Sequence, residues 1–132
     1  MRHMLNAAAI VLLMALPARA DDDIEQVISA QIEAFLADDF ETAFTYASPA
    51  IRNVFRTPER FGQMVRNGYP LVWRPAEVEF LSTERRGRDL WQNVLVRDAE
   101  GAMHILEYQM VVGEGGWKIN AVRVRKVDDG VA

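Results

Sequence analysis

DDDIEQVISAQIEAFLADDFETAFTYA, residues 21–47, is the stretch on which the fold turns. Ile24, Val27, Ile28, Ile32, Phe35 and Leu36 recur at spacings of three and four, which stacks them on one side of a helix. Glu25, Gln26, Ser29 and Glu33 fall elsewhere, so the apolar stripe needs a core to face. Asp23 is placed to cap this helix, with Gln26 three residues on to reach back. The run Asp21-Asp22-Asp23 also stands where the helix dipole favours negative charge. Consecutive aspartates at a helix terminus do not converge on one ion, so the run is read as a cap and no metal is expected. Asp38-Asp39 interrupts the helix, Asp39 can cap a second one, and Phe40, Ala43, Phe44 and Ala47 carry the stripe onward.

Upstream, Arg2 and His3 make a short basic start, Leu5 to Leu16 is an apolar run broken by Pro17, and Ala18-Arg19-Ala20 is a small-x-small site. Those three parts in that order make a secretory signal peptide, expected to be removed after residue 20. The apolar run is roughly a dozen residues, short of the ~20 a membrane-spanning helix needs. The organisation expected is therefore residues 1–20 as leader and 21–132 as one domain in a periplasmic or secreted setting, with no integral membrane segment once the leader is gone. Arg2 and Arg19 are the only Lys, Arg, Asp or Glu residues in the leader, so its removal takes the formal charge from −4 to −6. An acidic domain disfavours nucleic acid and anionic membrane as partners. The absence of cysteine excludes thiol chemistry, disulfides and cysteine metal sites.

Downstream of residue 47, Ser48-Pro49 and Thr57-Pro58 each pair a capping residue with proline at the first helical position, where its missing N–H costs nothing. Two short helices follow, with Ile51, Val54 and Phe55 inward on one and Phe61, Met64 and Val65 on the other; Gly68 is the stop. Arg52, Arg56, Arg60 and Arg66 read as their solvated sides, a phosphate-binding row being the alternative. Residues 69–75 read as an extended linker held by Pro70 and Pro75, with Tyr69 and Trp73 packed on the core or rimming a pocket mouth.

Four strands follow, near 76–84, 89–97, 102–112 and 117–126, joined by glycine-bearing turns at 85–88, 98–101 and 113–116. The fold class is α+β: N-terminal helices on one face of a curved four-stranded antiparallel sheet. Pairing the strands across those turns puts Trp91, Asn93, Leu95, His104, Leu106, Tyr108, Met110, Trp117, Ile119 and Ala121 on one face, assigned to the helix side. Val78, Phe80, Val94, Val96, Ile105, Val111, Val122 and Val124 fall on the other, an aliphatic face for which a second copy of the chain is the simplest cover.

The order of pieces resembles a known superfamily. The Ala37-Asp38-Asp39-Phe40 break, Ala47-Ser48-Pro49, Tyr69-Pro70 and the strand opening Gly116-Trp117-Lys118-Ile119 look like the cone-shaped, nuclear-transport-factor-like fold of the cystatin-like class. Within it, Gln92-x-Val94-x-Val96, Asp98-x-x-Gly101 and Tyr108-Gln109-Met110 are similar to a family of exported bacterial proteins described only as a domain of unknown function. The resemblance, over residues 24–125, implies a cone whose open end holds a small apolar ligand, dimers through the sheet and, in some members, isomerase, dehydratase or cyclase activity using an acid or histidine with a tyrosine. Two departures stand out. The small hairpin between the second and third helices is missing, and the pocket face has no carboxylate unless a register change brings in Glu107.

The candidate pocket residues are thus Tyr69, Trp73, Trp91, Asn93, His104, Tyr108 and Trp117, a mixture of aromatics and polar handles. No catalytic set is assigned. His104 has no convergent partner in the sequence, no Gly-x-Ser-x-Gly elbow occurs, and no histidine spacing supports zinc. The Arg85-Arg86-Gly87-Arg88 cluster reads as a hairpin tip that keeps a sheet edge soluble. The function expected is a non-catalytic domain that binds a small apolar or amphipathic ligand without a cofactor. The alternatives are a homodimeric or envelope interaction module and a small lyase or isomerase.

Overall fold

The computed structural model describes residues 20–127, so residues 1–19 of the expected leader lie outside the described residues. Five helices precede the sheet: α1 (Ala20–Leu36), α2 (Phe40–Thr45), α3 (Pro49–Phe55), α4 (Pro58–Gly68) and α5 (Pro70–Trp73). Four strands follow as a simple meander: β1 (Glu77–Arg86), β2 (Asp89–Arg97), β3 (Met103–Gly113) and β4 (Gly116–Lys126), each antiparallel to its neighbours. The α+β layout expected from the sequence is therefore what the chain adopts.

Local chemistry accounts for most boundaries. Asp39 accepts from the Thr42 N–H, Ser48 Oγ from the Ile51 N–H and Thr57 Oγ1 from the Arg60 N–H, so three of the four expected caps form. Helix α1 is described from Ala20 onward, so Asp23 lies within the helix and not at its cap. Its end is marked by Asp38 in the left-handed region at φ 54°, a conformation aspartate tolerates better than most residues. Residues 70–73 are helical, where an extended linker was expected; Pro70 occupies the first helical position, for which its fixed φ is suited. Val54 points outward, 70% exposed, while Ile51 and Phe55 pack inward.

The core joins the α1 stripe (Ile24, Ile28, Ile32, Phe35) to α4 (Phe61, Val65) and to one sheet face (Val94, Val96, Leu106, Tyr108, Met110, Ile119). Phe35 contacts the rings of Phe40 and Phe61, and Phe61 also meets Phe44 and Phe55, so four helices share one aromatic cluster. Gly62 is required by this packing: a Cβ there would lie 2.3 Å from the Phe40 ring.

The two sheet faces differ from the sequence-based sorting. The last rung of the β2–β3 hairpin is Arg97 with Met103, so its loop holds five residues, 98–102, and not four. Asp98 builds that loop: its Oδ1 accepts from the N–H groups of Glu100 and Ala102, and Gly101 takes φ 91°. The extra residue moves all of β3 by one, so Leu106, Tyr108 and Met110 join Val94 and Val96 under the helices. A bulge in β4 at Asn120, opposite Gln109 and Met110, then places Ile119 and Val122 on that same face. Of the eight residues expected on a free face, Val94 and Val96 belong to the core and Phe80 and Val122 pack against it. Trp91, Asn93 and Leu95 lie on the opposite side with Glu107, Arg123 and Arg125. Val94 and Val111 are on different faces, and Val94 is 0% exposed.

Candidate functional site

One wall of the candidate site is made by the junction of α2, α3 and β4. Ser48 Oγ donates to Asn120 Oδ1 at 2.7 Å, Asn120 Nδ2 donates to Gln109 Oε1 at 3.0 Å, and residues 46–48 bridge to Ile119 through backbone hydrogen bonds. The bulge fixes Asn120 at this point, where a regular strand would have carried on past α3. Against this wall opens a cleft of about 260 Å³. Ile51 and Phe55 of α3, Phe61, Met64 and Val65 of α4, Tyr69, Val72 of α5, and residues 119–122 of β4 line it, with Gln31 and Ala47. None of these side chains is charged. Gln31 Nε2 is engaged with the Ala43 carbonyl at 3.1 Å. The cleft is thus an apolar slot with a few amide groups on its wall, near the lower end of the ~300–1,000 Å³ range of small-molecule sites.

Of the seven candidate pocket residues, Tyr69 alone lines this cleft, where it is 37% exposed. Tyr108 is wholly buried in the core, and its register partner Val122 is a cleft residue. Its hydroxyl has no hydrogen-bond partner, and burial pushes the phenol far above its ordinary range, so it stays neutral. Trp73 serves the helical layer. Its indole N–H donates to Asp38 at 3.0 Å, Arg74 stacks on its ring at 4.1 Å and also pairs with Asp38, and this closes α5 onto the end of α1. Trp117 packs half-buried against the core.

His104 stands at the loop end of β3, with Nε2 3.0 Å from Asp98 Oδ2; its other ring nitrogen is buried without a partner. The hydrogen bond to His104, then that from the Ala102 N–H, holds the Asp98 carboxyl below the usual carboxylate range. Trp91 and Asn93 lie on the outer sheet face. Arg86 and Arg123 flank the Trp91 ring at 4.8 and 4.7 Å, and Asn93 donates to Glu84 at 3.1 Å. The structure therefore separates the seven candidates into a cleft rim, a core, a helix clamp, a loop-end pair of His104 with Asp98 and an outer polar network. Most residues that line the cleft, such as Ile51, Met64 and Val65, carry no polar or catalytic signature in the sequence; only the helical stripes hinted at them.

The buried Tyr108 hydroxyl yields a prediction. Tyr108→Phe removes an unsatisfied polar atom and leaves the packing in place, so it is expected to raise stability by about 1 kcal/mol. Urea unfolding of the two proteins checks it; a less stable variant would show that the hydroxyl has a partner in solution.

Among the described residues no group of three His, Asp or Glu is placed to hold a metal, and no helix is long and apolar enough to cross a membrane. The chain belongs to the family described as Domain of unknown function (DUF4864), which matches residues 17–131. No curated protein and no solved structure matches it. This match is consistent with the domain of unknown function expected from the sequence.

Proposed function

We propose that this member of the family is an exported, non-catalytic domain that holds a small apolar or amphipathic ligand in the cleft between α3, α4 and β4. One observation carries the reading: the cleft is lined by aliphatic and aromatic side chains, with no charged group among them. A cavity of about 150 Å³ admits benzene, so 260 Å³ is room for a larger hydrocarbon group. Export is supported by the leader pattern of residues 1–20 and by a family match that leaves its apolar run, 5–16, outside. Helices on one side of an antiparallel meander also suit the nuclear-transport-factor-like superfamily, in which a ligand between helices and sheet is common. The lyase or isomerase reading gains nothing here, because neither His104 nor any carboxylate lines the cleft. For a dimer through the sheet, the outer face offers Trp91 covered by Arg86 and Arg123.

The test is native mass spectrometry of protein purified from its own host, with a thermal-shift series of 1-alkanols of increasing length. A co-purifying hydrophobic species, or a saturable rise in melting temperature that Ile51→Trp abolishes by filling the cleft, is the expected result. No retained species and no shift with any alcohol would reject the reading.

A further inference from the structure

The arginines beside the cleft narrow the class of ligand. Helices α3 and α4 and the corner between them carry Arg52, Arg56, Arg60 and Arg66 against a single carboxylate, Glu59, in a chain whose formal charge is −4. Among the described residues the ion pairs engage Arg74, Arg86, Arg97, Arg125 and His104, and none of these four. Arg66 is set against Trp73 at 5.8 Å. The other three gather at the α3–α4 corner. Arg52 and Arg56 are four apart and follow, one residue on, the cleft residues Ile51 and Phe55. Arg60 precedes the cleft residue Met64 by one turn, in the same row of α4. Three cations that have no carboxylate partner among the described residues thus stand one residue or one helical turn from residues that line an uncharged slot.

Resting on the cleft as a ligand site, we propose that its ligand is an amphipathic anion. Its hydrocarbon tail lies among Ile51, Phe55, Met64 and Val122, and its carboxylate or phosphate head is held by Arg52, Arg56 and Arg60. Charge complementarity selects this occupant over a neutral hydrocarbon. The net negative charge of the whole chain disfavours an anionic membrane surface and leaves the free amphiphile.

Calorimetric titration of the protein, as its host accumulates it, with octanoate, octyl phosphate and 1-octanol at low salt tests this. One or both anions are expected to bind at least about fivefold more tightly than the alcohol, the sum of several exposed charge contacts. The preference should vanish in Arg52→Gln/Arg56→Gln/Arg60→Gln, whose unchanged circular dichroism and melting would show that it folds. Equal affinities of all three probes for the unsubstituted protein would overturn the anionic head and leave the apolar cleft standing. Binding of none would overturn the cleft as a ligand site too. Binding confined to phosphatidylglycerol vesicles, with no response to the free probes, would overturn the proposal in favour of a membrane surface. A preference that survives in the triple variant would overturn the assignment to these arginines.

Discussion

Phe35→Ala is expected to lower the stability of the domain by about 3–5 kcal/mol, the range for emptying a large aromatic site in a packed core. Phe35 is 0% exposed, and its ring meets Phe40 at 6.3 Å and Phe61 at 5.9 Å between centroids. It is the point at which α1 is joined to α2 and α4. The backbone there cannot follow the missing ring inward, because the Phe35 carbonyl accepts from Arg74 and from the Asp38 N–H. Urea unfolding measures the loss. The neighbouring Leu36→Ala, at a position 49% exposed, is the control and should change stability by less than about 0.5 kcal/mol. A loss at Phe35 as small as that at Leu36 would mean that the aromatic cluster does not organise the helical layer.

The second large effect belongs to the outer sheet face. Glu107 is 8% exposed, with Oε2 3.1 Å from Arg125 Nε and 3.5 Å from Arg86 Nη2. Burial alone would push its carboxyl up, but the hydrogen bonds and charges of Arg125 and Arg86 outweigh that and hold it below the usual value of 4.5. A carboxyl depressed by folding contributes stability above its unfolded value, and that contribution is lost as pH falls through the folded one. Glu107→Gln keeps the size and one acceptor and removes the charge, leaving Arg125 without its carboxylate and Arg86 with Glu84 alone. It is expected to cost about 2 kcal/mol at pH 7, a charged hydrogen bond's worth discounted for the exposure of both arginines. The gap between the two proteins should narrow as pH falls through the depressed value of the folded wild-type carboxyl. Denaturation of both at pH 7 and pH 3 decides: an equal gap at the two pH values would show that the loss is one of packing and not of charge.

Much of this domain was legible residue by residue. The three-and-four spacing of Ile24, Ile28, Ile32 and Phe35 marks a helix wherever it occurs, and Asp39, Ser48 and Thr57 cap because a side-chain oxygen reaches an N–H three residues on. The strands announced themselves through alternation and glycine turns. The candidate site was much less legible. Its walls are ordinary apolar residues, while the conspicuous ones, Trp73, Trp91 and His104, are held by arginines or an aspartate for structural reasons.

What the residues determine by themselves is thus local: helix and strand content, the caps at Asp39, Ser48 and Thr57, and the leader pattern. Which side of each strand meets the helices was decided by tertiary structure. Alternation settles which residues of one strand share a face, but the relation between strands depends on the number of residues in each turn. Here one extra residue in the Asp98 loop and one bulge at Asn120 inverted that relation. The cleft exists because three helices and a bulged strand meet at one place, and no single segment encodes that meeting.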